Sequence, residues 1–401
     1  MLSNRKLDGV VFNNEINEFY RKPRLIEGAA MFGPKKVDDP IKKRQEIKSS
    51  LFESFILHKE VNFKVEGENA PLCFLINEIG LRGVEELIDD NAISFTLWNP
   101  FICAVNHPFT GVLPASLGRF QGDPYSDPEQ SIELSLKSDA MDASIKRREA
   151  KMLVKKLRDS YVAVPIGLEE SCLDEAESAL KSGKLKKVGL TLDGRDVNQL
   201  TNYEKDIFAK CASDLLDYKY AITKHAMASP TSNINFLFDD TLSKIKNMPK
   251  ANIMSSILTF ENFPDLQSAF CLMGQPMDEL LRIRKSRNAE KFREWISNIN
   301  ESTDPLDIQR MYVESNQNPK GIFDKFWGKS IKSATMMYLG YKLGSVIDPT
   351  INPAIGVIGG MLLKQYSLDM LDNYFLTELT KGWTPKLFIN DLKSVKFKYS
   401  T

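Results

Sequence analysis

Residues 60–98 read EVNFKVEGENAPLCFLINEIGLRGVEELIDDNAISFTLW, and the pattern of this segment predicts the fold class. The segments Glu60 to Val65 and Ile93 to Trp98 alternate polar and apolar residues, as half-buried strands do. Between them, Asn69 offers a helix N-cap, and apolar residues at helical spacing continue through a break at Gly80. The order of strand, helix and strand predicts a βαβ-like unit and hence a small sheet.

The rest of the chain is predominantly helical by periodicity. We therefore predict an α+β, helix-rich protein, with a small N-terminal sheet followed by a mainly helical C-terminal region. A chain of 401 residues is long enough for two or three domains. We predict an α/β domain over 1–165, a helical middle region over 166–250 and a helical domain over 251–401.

The local structure of three further segments can also be predicted. Glycine and proline recur so often in residues 1–50 that we expect an irregular lead-in, and residues 99–128 are similarly expected to form a long loop. Residues 185–192 are predicted to form a strand. Long loops inside compact domains often bind partners, which makes 99–128 a candidate contact surface.

Charge and cysteine usage restrict the class of protein. Lys and Arg together number 53, as do Asp and Glu, so only a local patch can attract nucleic acid or an anionic membrane. The five cysteines are widely spaced and odd in number, which favours reduced thiols and a cytoplasmic protein. The charged residues that follow Met1 lack the apolar run of a secretory signal.

A cluster of basic residues lies on a helix predicted from Met277 to Ile299. Guanidinium groups at this density suit phosphate or carboxylate, so the helix is a candidate site for an anion or nucleic acid. Acidic residues at helical distances offer the alternative of an exposed face of ion pairs. The candidate anion-binding residues are Arg282, Arg284, Lys285, Arg287, Lys291 and Arg293.

Two catalytic arrangements are open to a chain with only three histidines. His107 would act as a general base with Asp123 or Asp127 as the residue that orients it. A metal-dependent nuclease would need acidic ligands and a lysine, which the sequence offers after a possible strand and in the triplet Asp217-Tyr-Lys219. The candidate catalytic residues are His107, Asp193, Asp196, Asp217 and Lys219.

Common cofactor and metal motifs are missing from the sequence. There is no P-loop, and no Gly-x-Gly-x-x-Gly follows the N-terminal strand. His58-Lys-Glu60 matches the His-x-Glu of zinc deaminases, but the Pro-Cys-x-x-Cys that would complete their site is absent. We therefore predict no cofactor and no metal site.

The segment 331–363 is apolar and rich in glycine. Gly340 and Gly344 stand four residues apart, a spacing that lets helices approach closely in membranes and in tightly packed soluble proteins. Pro349 and Pro353 interrupt the run, which leaves it shorter than a membrane span. A buried helical hairpin is the first interpretation, and insertion into or docking on a membrane is the alternative.

The string from Leu280 to Ile296, LLRIRKSRNAEKFREWI, resembles a charged helix of bacterial proteins of unknown function, some associated with defence against phage. The resemblance implies a bacterial origin and no site residues. We expect a cytoplasmic binding, regulatory or effector protein that contacts a protein partner or, through the basic helix, nucleic acid. The alternatives are a metal-dependent nuclease or other hydrolase, and an effector that engages membranes through 331–363.

Overall fold

The computed structural model describes most of the first 228 residues and parts of the remainder. The described residues are 2–7, 10–24, 40–105, 113–119, 126–138, 143, 145–224, 226–228, 266, 270–271, 276–298 and 385–394. The chain divides into two compact units, residues 1–239 and 240–401. Our three predicted domain ranges remain predictions.

The first unit contains a parallel sheet of five strands and a separate antiparallel pair. The order across the sheet is β6-β3-β2-β1-β7, and every neighbouring pair is parallel. The antiparallel pair, β4 with β5, lies within the segment predicted as a loop. The strands are β1 (Val11–Asn13), β2 (Val61–Val65), β3 (Ile93–Leu97), β4 (Pro100–Ala104), β5 (Ala115–Arg119), β6 (Tyr161–Ala163) and β7 (Met227–Ala228).

Seven α-helices of the first unit are described. Short 3-10 turns at Arg158–Ser160, Lys184–Val188 and Val197–Gln199 connect some of them. The helices are α1 (Glu15–Arg24), α2 (Pro40–Leu57), α3 (Ala70–Asp89), α4 (Pro128–Lys137), α5 (Arg147–Leu157), α6 (Leu168–Lys181) and α7 (Asn202–Thr223).

The path of the chain through the sheet determines which helices cover each face. From β1 the chain steps outward through β2 and β3 to β6, and it then crosses to the far side of β1 to form β7. Right-handed crossovers in opposite directions put the early helices on one face and the last ones on the other. Accordingly, Phe55 of α2 packs on Phe63, and Tyr220 of α7 bonds to Thr96 on the opposite face. Both faces of β2 and β3 are buried as a result.

The predicted α+β, helix-rich fold is confirmed, including the βαβ-like unit formed by β2, α3 and β3. The irregular lead-in over 1–50 is wrong, because β1 is a central strand and two helices follow it. This strand has only three residues, which is too short for a periodic pattern to reveal. The strand predicted at 185–192 is also wrong, since a 3-10 turn begins there.

Helix α3 is bent at Gly80, where the sequence predicts a break. The residue has φ 71° and ψ 165°, a conformation that is essentially restricted to glycine. We expect Gly80→Ala to lower the free energy of unfolding by about 1–3 kcal/mol, because an alanine at this position is strained.

Urea denaturation of Gly80→Ala and wild type measures this loss. The exposed side chain of Arg82, two residues further along α3, provides the control, and Arg82→Ala should change the free energy by at most about 0.5 kcal/mol. Equal stability of Gly80→Ala and wild type would show that the bend is not required.

The described part of the second unit consists of helices. Phe292 and Phe388 pack with their ring centroids 4.6 Å apart, and Asn288 donates a 2.6 Å hydrogen bond to Asp391. These contacts join the last two of the described helices, which are α8 (Pro276–Arg284), α9 (Arg287–Asn298) and α10 (Pro385–Ser394).

The predicted hairpin over 331–363 lies outside the described residues. Within the ranges that the structure describes, none of the helices combines the length and the apolar character needed to cross a membrane. The two interpretations of this segment therefore remain predictions.

Candidate functional site

Polar side chains lie on the face of the sheet that α7 covers. They cannot be solvated there, so each must find a protein or ligand partner. Those on β2 and β3 are Asn62, Lys64, Ser94 and Thr96, and all four are buried.

The first part of this polar group, which consists of Asn62, Ser94 and Thr96, is satisfied by bonds among its members and to α7. The Asn62 amide donates to Ser94 Oγ at 2.8 Å, and Thr96 Oγ1 donates to Asn62 Oδ1 at 2.6 Å. Thr96 Oγ1 also lies 2.6 Å from the Tyr220 hydroxyl of α7. The closed set of bonds holds α7 to the sheet, so we regard it as structural.

Lys64 is the centre of the second part, which extends to Glu66 beyond the carboxyl end of β2. Its side chain is 8% exposed, and its Nζ lies 2.7 Å from Asp217 Oδ1 and 2.9 Å from Glu66 Oε1. The same Nζ lies 4.2 Å from the centroid of the Trp98 ring, a cation–π distance. Two carboxylates and an aromatic face thus surround one buried ammonium.

The protonation of Lys64 decides what chemistry it can perform. Burial lowers the pKa of this ammonium, but the carboxylates of Asp217 and Glu66 outweigh burial and raise the pKa above its usual value. Lys64 therefore remains charged at neutral pH. It serves as a fixed cation, because a nucleophile or general base would need a depressed pKa.

Asparagines after β1 join the same group. Asn14 Nδ2 donates a 2.8 Å bond to Asp217 Oδ2, and Asn17 Oδ1 accepts a 3.3 Å bond from the Glu66 backbone N–H. The turn between β1 and α1 is therefore tied both to α7 and to the segment that follows β2.

Asn13 is the last residue of β1, and its side-chain oxygen, unlike that of Asn17, accepts no hydrogen bond from the described residues. The residue is 5% exposed. An unsatisfied buried acceptor is costly and calls for an explanation, such as a bound molecule that donates to it.

The segment after β2 is held rigidly beside these residues. Gly67 has φ +89°, and its carbonyl accepts a bond from the Ser131 hydroxyl of α4. Asn69 accepts at 2.9 Å from the Leu72 N–H, as predicted for an N-cap, and donates at 2.7 Å to the buried Tyr161 hydroxyl. The backbone of the Glu66 segment is thus fixed in place by α1, α4 and β6.

We call the residues at this edge the sheet-edge site: Asn14, Asn17, Lys64, Glu66 and Asp217, together with Asn13 at the end of β1. Asn13 is in register with Phe63, so its side chain lies on the opposite face of the sheet from Lys64. Of the charged members of the site, Glu66 reaches solvent most, with 23% of its side chain exposed. The two carboxylates outnumber the single ammonium, so the site carries a net negative charge. It offers acceptors and amides to a ligand, and it disfavours anions.

The predicted nuclease residues are not brought together. Asp217 belongs to the sheet-edge site, whereas Lys219 bonds to Ser171 and pairs with Glu175 of α6. Asp193 lies exposed in a turn, and Asp196 caps a 3-10 turn through the Asn198 N–H. In the described ranges, no group of three or more His, Cys, Asp or Glu side chains is arranged to hold a metal ion.

His107, the other predicted catalytic residue, and Asp123, one of its predicted partners, lie outside the described residues. Asp127, the alternative partner, is described. Its side chain accepts a bond from the Gln130 N–H and caps α4, which accounts for it structurally.

The predicted basic helix is two helices, α8 and α9, separated after Arg284. Arg284 and Arg293 are buried, and Arg293 Nη2 donates a 2.7 Å bond to the Arg284 carbonyl. Arg282 pairs with Glu279, while Lys285 and Arg287 are exposed and Lys291 is half-buried. Two of the six candidate residues therefore belong to the interior and cannot contact a partner at the surface.

The sequence analysis missed Lys64, Glu66 and the three asparagines. The position of Lys64 in β2 could have revealed the site, because a strand that is covered on both faces should be apolar throughout. A lysine within such a strand has to be paired, which marks it as structural or functional.

Comparisons with known proteins identify no relative, since the chain matches no family model and no curated protein or solved structure is significantly similar.

Proposed function

We propose that the sheet-edge site binds a small, uncharged, hydroxyl-rich molecule, and that a ribonucleoside is the class that fits it. The observation that carries this proposal is the partly exposed carboxylate of Glu66 beside Lys64, with a buried acceptor that lacks a partner among the described residues, Asn13 Oδ1, at the end of the neighbouring strand and on the other face. A ligand hydroxyl would supply the missing donor, and the carboxylate of Glu66 would accept others.

The position of the site within the fold supports this assignment. Open α/β sheets bind ligands outside the carboxyl ends of their strands, where the strand order reverses. In this chain the order reverses beside β1, and Glu66 directly follows the second strand of the sheet. In doubly wound folds an acidic residue after the second strand commonly bonds ribose hydroxyls.

The turn between β1 and α1 argues against a phosphorylated ligand. Phosphates bind at helix N-termini through glycine-rich turns, whose backbone N–H groups approach the ligand closely. Here the turn is Asn13-Asn14 without glycine, and Glu15 adds a carboxylate in the first turn of α1. We expect a nucleoside to bind better than its phosphates.

The cellular role that we propose is that of a bacterial cytoplasmic regulatory or effector protein, acting through a macromolecular partner. None of the described cysteines forms a disulfide bond with another, as expected in a reducing compartment. Burial raises the pKa of the Cys172 thiol to about 12 and that of Cys211 to about 11, so neither is a reactive nucleophile. The resemblance of Leu280 to Ile296 favours a role in defence against phage.

Replacing Glu66 with Gln tests the ligand proposal. The change keeps the shape of the side chain and removes the charged acceptor, whose hydrogen bonds contribute about 1.5–3 kcal/mol. We expect about tenfold or greater loss of affinity for the ribonucleoside that binds wild type most tightly, measured by calorimetry with adenosine, guanosine, cytidine and uridine.

Glu46→Gln is the matched control, because Glu46 is an exposed acid of α2 whose only described ion pair is with Lys43. It should bind as wild type does. The proposal fails if no ribonucleoside binds wild type, or if Glu66→Gln retains full affinity. Tighter binding of the 5′-phosphates than of the nucleosides would refute the charge argument.

A further inference from the structure

A second charged surface, independent of the sheet-edge site, follows helix α5. Residues 146–160 contain seven cationic side chains and two acidic ones, in a protein whose overall charge is balanced. The cations are Lys146, Arg147, Arg148, Lys151, Lys155, Lys156 and Arg158.

Four of these cations are available for a partner. Lys156 pairs with Asp89 and Arg158 with Glu129, so their charges are partly neutralised. The other four that belong to α5 itself are exposed and have no ion pair or hydrogen bond from their side chains to any described residue. They are Arg147, Arg148, Lys151 and Lys155, and we call them the α5 basic row.

The row has a fixed geometry. The opposite side of α5 is anchored by Leu153, Val154 and Leu157, which are buried in the first unit. Arg147, Lys151 and Lys155 are four residues apart, so they lie along one side of the helix, with a rise of about 6 Å between successive members. A rigid row of cations complements the regularly spaced charges of a phosphate backbone.

The acidic residues Glu149 and Glu133, which lie close to the row, already have partners. Glu149 accepts a bond from the Lys146 backbone N–H and caps the start of α5. Glu133 of α4 bonds to Lys137 at 2.8 Å. The hydrogen bond and charge of Lys137, with smaller contributions from Lys151 and Arg147, lower the pKa of the Glu133 carboxyl. The acids reduce the positive charge of this surface and do not cancel it.

The geometry points to a nucleic-acid contact: the α5 basic row binds the phosphate backbone of DNA or RNA, without reading base sequence. A membrane is the less suitable partner, because helices that lie on bilayers insert an apolar face. The apolar side of α5 is occupied by the protein core, and none of the large exposed apolar side chains in the described ranges lies on α5. The α8 and α9 segment is a weaker candidate because its Arg284 and Arg293 are buried.

The test is fluorescence anisotropy of full-length protein with a labelled duplex DNA of arbitrary sequence, and with a labelled single-stranded RNA, over a range of salt concentrations. The variant carries Arg147→Gln, Lys151→Gln and Lys155→Gln together. We expect at least about tenfold weaker binding to the preferred probe, and a slope of log affinity against log salt that is smaller by about 3. The substituted side chains are exposed, so the melting temperature should not change.

The control variant removes three cations elsewhere that reach solvent, through Lys43→Gln, Arg82→Gln and Lys181→Gln. It should retain nearly full affinity. Equal losses in both variants would mean that net charge alone is responsible and would overturn the proposal, as would the absence of binding by wild type. Binding to phosphatidylserine vesicles that requires the α5 basic row, with no binding to either nucleic acid, would assign the surface to a membrane.

Discussion

Lys64→Met is expected to lower the free energy of unfolding of the first unit by about 3–5 kcal/mol, since it leaves buried charge uncompensated. Asp217 would remain in the interior, bonded to Asn14 alone among the residues of the sheet-edge site. The methionine has nearly the length of the lysine stem, so the loss measures the missing cation more than missing volume. Urea denaturation followed by circular dichroism gives the free energy.

Two further variants test whether the loss of stability comes from the uncompensated charge or would follow any substitution in the core. Lys137→Met makes the same substitution in an ion pair at the surface, where Lys137 bonds to Glu133 at 2.8 Å, and should cost at most about 1 kcal/mol. Adding Asp217→Asn to Lys64→Met removes the unpaired charge and should restore part of the stability. If Lys64→Met is as stable as wild type, the ammonium does not hold the two carboxylates as described.

The second large effect is expected for Asn69→Ala, which should lower the free energy of unfolding by about 2–4 kcal/mol. The substitution removes the N-cap of α3, which contributes about 1 kcal/mol. It also leaves the buried Tyr161 hydroxyl without its 2.7 Å bond from the amide, at a cost of about 1–3 kcal/mol. Thermal and urea denaturation of the variant against wild type measure the loss.

A double-mutant cycle divides this effect between its two causes. Asn69→Ser retains a capping oxygen but is too short to bond to Tyr161, so it should be less damaging than Asn69→Ala. Tyr161→Phe removes the hydroxyl itself, and Asn69→Ala should then cost less in that background than in wild type. Additive losses would show that the bond between the two side chains contributes nothing.

The features of the fold that the sequence predicts correctly depend on residues that lie close together in the chain. Alternation predicted β2 and β3, and Asn69 caps α3 through an N–H three residues ahead, as its residue type indicates. Gly80 also lies at the bend where the apolar stripe breaks. Each of these features is determined by residues within a few positions of one another.

The sheet-edge site was not predictable because its contacts are distant in sequence. Lys64 and Asp217 are 153 residues apart, and Asn14 and Asp217 are 203 apart. In a half-buried strand, the alternation in β2 would place Lys64 on the solvent side. Only the crossover to β7, which puts α7 over that face, converts Lys64 into a buried cation. Asp217 was identified from a nuclease-like triplet, and the structure gives it lysine and asparagine partners instead.

A crystal structure of the full-length protein, grown with a mixture of the four common ribonucleosides, would test ribonucleoside binding at the sheet-edge site. We expect a nucleoside at the carboxyl edge of the sheet, with a ribose hydroxyl about 2.7 Å from the Glu66 carboxylate and a donor bonded to Asn13 Oδ1. A nucleoside bound elsewhere, or a sheet edge that holds only water, would contradict it.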